Sequence, residues 1–192
     1  MERIMNTTAE GREQLPGWTS VPLSALIRHI LDTHHAYLRG AFPKLSQLVL
    51  TAAPVAGSEQ DEALLEIAQV YRDLRSELES HMWKEEMVLF PMIEGLGAAE
   101  AAGQPTPPAH CGSVRNPIRV MQSEHVNAKH ALTELRRLTG GFIAPAGAST
   151  DFRNLLTGLA ELETDLYSHI HLEDDILFPR AGELEDRLAH AV

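Results

Sequence analysis

Apolar residues recur along the chain with the period of an α-helix in four separate stretches, and no segment alternates in the manner of a strand. Leu23, Ile27, Ile30, Leu38, Leu45 and Leu48 stand at spacings of three, four or their multiples and predict a first helix over about 22–50. Thr19-Ser20-Val21-Pro22 supplies cap and first-turn residues for it. Pro54 and Gly57 break the pattern, after which Leu64, Ile67, Tyr71, Leu74 and Leu78 carry a second helix from about 59 to Phe90. The stretch from Gly95 to Asn116, rich in Gly, Pro and Ala, predicts the longest irregular surface loop. Ile118, Met121, His125, Ala128, Leu132 and Leu135 form one face of a third helix, stopped by Gly140 and Gly141. A fourth begins near Ser149-Thr150-Asp151 and continues through Leu155, Leu159, Leu162, Leu166 and His169. Four such helices, mostly with short connections, predict an all-α, up-and-down four-helix bundle. Residues 1–20 read as a flexible polar tail, residues 21–189 as the bundle, and about 95–116 as its irregular loop.

The apolar faces are interrupted by ionisable groups, and the interruptions repeat. Residues 77–91 and 165–179 carry the same phrase: Glu77, His81 and Glu85 in one copy, Asp165, His169 and Glu173 in the other, each followed by Leu-Phe-Pro. Side chains four apart lie on one helix face, one turn from each other. Each copy thus aims an imidazole and a carboxylate at one point. If the second and fourth helices are equivalent, the first and third are too, and each should lend a group to the same core. The third offers His125 within its apolar stripe; the first offers the adjacent pair His34 and His35, with periodicity leaning toward His34. Histidines from four helices with two glutamates are the donor set of a carboxylate-bridged two-metal site, and suit iron, manganese or zinc.

Each member alone has a plainer reading. A single histidine on an apolar face is usually a satisfied core residue, and a single His-x-x-x-Glu a surface pair worth a few tenths of a kcal/mol. An old helix-pair duplication without metal is the plain reading of the whole. The matching flanks argue for the metal, because burying four imidazoles and two carboxylates unpaired would be very costly. His29, His110, His130, His171 and His190 are assigned to the surface, and Met82, Trp83 and Met87 to packing. Glu77 and Asp165, one turn before their histidines, and Glu124, beside His125, are candidate acceptors for ligand N–H groups, with solvated helix charge as the alternative. A ferritin-like site would need Glu-x-x-His, which occurs nowhere in the chain.

Composition narrows the partners. The chain has 192 residues, 44% hydrophobic and 22% charged, enough for one substantial core. A net charge of -11 disfavours nucleic acid and anionic membrane. No apolar run is long enough to span a bilayer. The single cysteine, Cys111, forms no internal disulfide and no CxxC motif, in keeping with the cytoplasm.

The two copies, His81-Met-Trp-Lys-Glu85-Glu-Met-Val-Leu-Phe-Pro91 and His169-Ile-His-Leu-Glu173-Asp-Asp-Ile-Leu-Phe-Pro179, resemble the haemerythrin-type HHE domain. More narrowly they resemble the repair-of-iron-centres proteins, which restore iron–sulphur clusters after nitrosative or oxidative damage. Val120-Met-Gln-Ser-Glu-His125 and the opening Pro22-Leu with His34-His35 and Phe42-Pro43 are similar as well, so the likeness spans about residues 20–183. It implies a haemerythrin-like bundle with two iron ions held by His35, His81, His125 and His169, and with Glu85 and Glu173 bridging them. It also selects His35 over His34. Two departures stand out. The family commonly carries an N-terminal domain with a cysteine pair, absent from these residues, so a thiol-dependent step is expected to draw on a partner. Oxygen-carrying haemerythrins have a further histidine where this chain has Lys129, and His130 points about 100° away.

The expected function is therefore iron–sulphur cluster repair under nitrosative or oxidative stress, by iron donation or nitric oxide chemistry, with damaged iron–sulphur proteins as partners. An oxygen- or redox-sensing binding protein and a reductase of nitric oxide or peroxide are the alternatives, with nitric oxide or dioxygen as the small ligand.

Overall fold

The computed structural model describes residues 17–52, 59–105 and 112–190. Four long helices follow one another: α1 (residues 23–51), α2 (59–102), α3 (Arg115–Leu138) and α4 (150–190). Helices α2 and α3 pack together, as do α1 and α4, in the predicted up-and-down bundle, with no strand among the described residues. The start of α4 is capped by Ser149, whose Oγ accepts from the Phe152 amide at 3.1 Å. At Gly158 α4 comes so near α1 that a Cβ there would fall 2.7 Å from Leu45 Cδ2. No helix among the described residues is long and apolar enough to cross a membrane.

Two apolar clusters fill the bundle. One gathers Leu38, Phe42 and Leu45 with Tyr71, Leu74, Leu132, Leu135, Leu155, Leu159 and Leu162. The other gathers Leu26, Ile27 and Ile30 with Phe90, Ile93, Met121, Leu177, Phe178 and Leu184. Burying each of these side chains fully is worth about 1.5–3 kcal/mol, so the clusters hold the helices whatever lies between them. What lies between, on every helix, is the set of histidines and glutamates singled out by the repeat.

Three helices widen at that level. Ala36 donates to the Leu31 carbonyl, Phe90 to that of Glu85 and Phe178 to that of Glu173, each five residues back rather than four. The wide turns span Ile30–His35, Glu85–Leu89 and Leu172–Leu177, and the latter two explain how α2 and α4 pass through Pro91 and Pro179. A proline lacks the N–H and crowds the carbonyl four residues back, and a wider turn just before it relieves that crowding. The recurrent Leu-Phe-Pro is thus the sequence trace of a local helix geometry.

Four expectations need correcting. The irregular stretch begins at Gly103, with φ +63 as a left-handed cap, rather than at Gly95. Ala98–Ala102 favours helix, while Leu96 and Ala99 bury against the second cluster, and this outweighs two helical glycines. Residues 106–111, including His110 and Cys111, and most of the predicted tail, 1–16, lie outside the described residues, as does the break at Pro54 and Gly57. Residues 17–20 of that tail are held down: Trp18 stacks on His29 at 4.3 Å, and Arg180 donates to the Trp18 and Val21 carbonyls. His29 is accordingly half-buried, unlike exposed His130, His171 and His190. Met82 is core, but Trp83 and Met87 are each 61% exposed, because the wide turn and the helix phase leave them on the outer face.

Candidate metal centre

Six side chains meet in the layer between the two clusters. His35 Nε2 lies 3.3 Å from Glu85 Oε2, and His81 Nε2 lies 3.3 Å from Glu85 Oε1. His169 Nε2 lies 3.0 Å from Glu173 Oε1, and His125 Nε2 lies 3.1 Å from Glu173 Oε2. Two quartets result, His35-Glu85-His169-Glu173 and His81-Glu85-His125-Glu173, in each of which the donor atoms lie within 4.8 Å of one another. Both glutamates belong to both quartets, and both are 0% exposed. The histidine facing Glu85 from α1 is His35; His34 turns to the opposite side.

Both Glu85 oxygens, Glu173 Oε2 and His35 Nε2 are buried with no hydrogen-bond donor or acceptor among the described residues. Polar atoms left so are rare in folded proteins and costly. Two shared carboxylates ringed by four imidazole nitrogens ask for positive charge between them. In the metal-free protein only protons supply it. Burial pushes the His125 imidazole toward neutrality, but Asp174 and Glu173 outweigh it and raise its pKa to about 9. Burial likewise opposes protonation of His35 and His81, yet Glu85 wins in both and raises them above 6.5. Burial would raise Glu173 too, but His169 and His125 hold it well below the usual carboxylate range. A group of neutral imidazoles and ionised carboxylates arranged this way is chemically a cation site of N and O donors.

The far nitrogens of three imidazoles are held by carboxylates, and each carboxylate by a cation. His35 Nδ1 meets Glu86 at 2.7 Å, backed by Arg39 at 2.5 Å. His81 Nδ1 meets Glu124 at 2.9 Å, backed by Lys84. His125 Nδ1 meets Asp174 at 2.9 Å, backed by Lys129 at 3.5 Å. Such partners fix the ring and raise its basicity as a ligand. Of the candidate acceptors read from the sequence, Glu124 does stand behind an imidazole. Glu77 is exposed and makes no side-chain hydrogen bond or ion pair among the described residues. Asp165 meets His34 at 2.8 Å rather than His169. Both stand one turn before a histidine on the same helix, whereas each acceptor behind a ring comes from a neighbouring helix. Glu86 and Asp174 were missed, although their equivalence was written in the repeat: each immediately follows its buried glutamate. Lys129, where an oxygen carrier has histidine, is committed to Asp174.

Comparison with known proteins identifies the family. Residues 26–181 match the family described as "Hemerythrin HHE cation binding domain". The chain is 40% identical over 164 residues to the iron-sulfur cluster repair protein DnrN of Neisseria gonorrhoeae, covering 85% of this chain and 94% of that one. It is 35% identical over 184 residues to the iron-sulfur cluster repair protein YtfE of Pectobacterium atrosepticum, covering 94% and 74%. A YtfE of Escherichia coli O157:H7 is 36% identical over 167 residues, covering 85% and 68%.

Proposed function

Because the chain belongs to the hemerythrin HHE cation-binding family, we propose that it is a cytoplasmic non-haem di-iron protein of the iron–sulphur cluster repair type. In this reading His35 and His169 would hold one iron and His81 and His125 the other, with Glu85 and Glu173 shared between the two. The observation that carries it is the pair of quartets sharing two fully buried glutamates, three of whose four oxygens lack hydrogen-bond donors among the described residues. Relatives at 35–40% identity that are named as iron–sulphur cluster repair proteins point the same way. Iron bound there would offer exchangeable positions to a diatomic ligand such as nitric oxide, or would itself be the cargo passed to a damaged cluster.

The chain's own residues do the rest. Glu86, Glu124 and Asp174 keep three imidazoles in the tautomer that presents Nε2 to the glutamates. The two apolar clusters exclude water from either side of the layer. Loading requires that His35, His81 and His125 give up their protons, so ion binding and proton release are one event. Lys129 paired with Asp174 favours repair over an oxygen carrier with a fifth histidine. With one cysteine in 192 residues, a thiol-dependent step would call on a thiol-bearing partner.

The test is recovery of a nitric-oxide-damaged iron–sulphur enzyme with the iron-loaded protein, the metal-free protein and free ferrous iron. The loaded protein is expected to restore activity faster than an equal amount of free iron. Equal recovery would sink repair and leave gas binding or reduction as the role.

A further inference from the structure

The two quartets are built from equivalent positions of a duplicated helix pair, but their surroundings are not equivalent. Glu86 and Asp174 correspond in the repeat, as do Arg39 and Lys129, and these corners match: acid on the imidazole, cation on the acid. The other two corners differ. Glu124, just before His125 on α3, reaches His81 Nδ1. The residue just before His35 on α1 is His34, and it faces His169. Its ring lies parallel to that of His169, with centroids 5.3 Å apart and planes 5° apart, and its Nδ1 is tied to Asp165. His34 therefore fixes the plane of the His169 ring by stacking but offers it no acceptor. Of the four Nδ1 atoms in the layer, that of His169 alone is buried without a hydrogen-bond partner among the described residues. Lys84, which backs Glu124, has the apolar Leu172 as its counterpart beside His169, so the cation is missing along with the acid.

We propose that the two ion positions are inequivalent, and that the one framed by His35 and His169 is the exchangeable one. The inference rests on the two-metal reading above and deepens it. A ligating imidazole without an acceptor on its far nitrogen is a weaker donor, and removal of such an acceptor typically costs about 10–100-fold in metal affinity. Both imidazoles of the His81–His125 pair have theirs; the His35–His169 pair has one of two. Access agrees with affinity. An open groove of about 610 Å³, lined by His34, Tyr37, Phe142, Glu161, Thr164 and Asp165, ends at the His34 ring, which stacks on His169, so only His34 separates it from the weak corner. Its two carboxylates, Glu161 and Asp165, are suited to a departing or arriving cation. His34 acts as a positioning residue: it orients His169 while leaving it loosely committed, so one ion can leave while the other stays.

The experiment loads the full chain with ferrous iron without oxygen, counts iron per chain, and follows its transfer to a coloured ferrous chelator. The native protein is expected to hold two ions and release them in two equal phases, separated by about tenfold or more. His34→Glu puts a carboxylate where Glu124 stands in the other half, and should slow the fast phase toward the slow one. Asp174→Asn replaces the carboxylate behind His125 with a neutral, weaker acceptor and should quicken the slow phase about 10-fold or more while sparing the fast one, which keeps the test decisive even if His34→Glu does not fold. Fewer than two ions per chain in the native protein would overturn the two-metal reading itself. Two ions leaving at one rate would overturn only the inequivalence. So would an Asp174→Asn variant in which the fast phase alone accelerates.

Discussion

The copies at 77–91 and 165–179 agree where they face the bundle axis and differ one layer out. Facing inward, both present a histidine and a glutamate across one turn, both widen after the glutamate, and both glutamates are fully buried. Facing outward, His81 has an acid and a lysine behind it, while His169 has the parallel imidazole of His34, which itself lines a groove. The donors point inward, where one geometry has to serve both halves of the site. The outer layer is free to vary, because its groups tune strength and access without altering which atoms meet. The helices of the other pair also part company: α1 widens at Ile30–His35 and α3 runs straight through His125.

The inward agreement is broken most severely by removing a shared glutamate. Glu85→Ala or Glu173→Ala should drop metal content below two ions per chain, and the double variant to none, with helical circular dichroism retained because the apolar clusters remain. Full occupancy in the double variant, measured by elemental analysis, would refute the bridging role. Leu159→Ala, at a fully buried position of the cluster away from the wide turns, should cost about 2–5 kcal/mol in denaturant unfolding. It should still bind two ions per folded chain; a parallel loss of metal would show that the layer depends on that cluster for its shape.

Smaller changes probe the outer layer. Glu86→Gln should weaken metal binding about 10–100-fold, whereas Glu77→Gln should leave it unchanged. Equal effects in a competitive titration would contradict the separation of the two acids. The pH dependence should differ between loaded and metal-free protein. In the metal-free protein the pKa of His125 is raised to about 9, so its protonated form stabilises the fold fully below about 6.5. That contribution fades as the pH rises through 9, and raised His35 and His81 act in the same direction. In the loaded protein these imidazoles are already neutral. The gap in melting temperature between the two forms should therefore widen from pH 6.5 to 9, and a constant gap would argue that protons and metal do not compete there. The slightest effect is expected from Arg39→Ala, whose half-exposed guanidinium backs Glu86: under about 1 kcal/mol in stability, read as a small shift of the unfolding midpoint.

Much of this molecule was legible in its residues. The four amphipathic stripes determine four helices, since only a 3.6-residue period puts Leu132, Leu135 and their counterparts on one face. The duplicated His-x-x-x-Glu with its Leu-Phe-Pro tail determines that two helices aim matching groups at one level. The sequence alone could also have paired Glu86 with Asp174, had the repeat been read one residue further. Other features were decided only when the helices packed. Periodicity leaned toward His34, yet the wide turn at Ile30–His35 shifts the helix phase and brings His35 to Glu85 while His34 rotates onto His169. Glu77 and Asp165 share a face with their histidines on paper, but which imidazole a carboxylate meets depends on the neighbouring helix, and each acceptor in place comes from a different helix than its ring. A helix period constrains side chains within one segment; the approach of a second helix, set by the sum of the core's packing, chooses the partners across it.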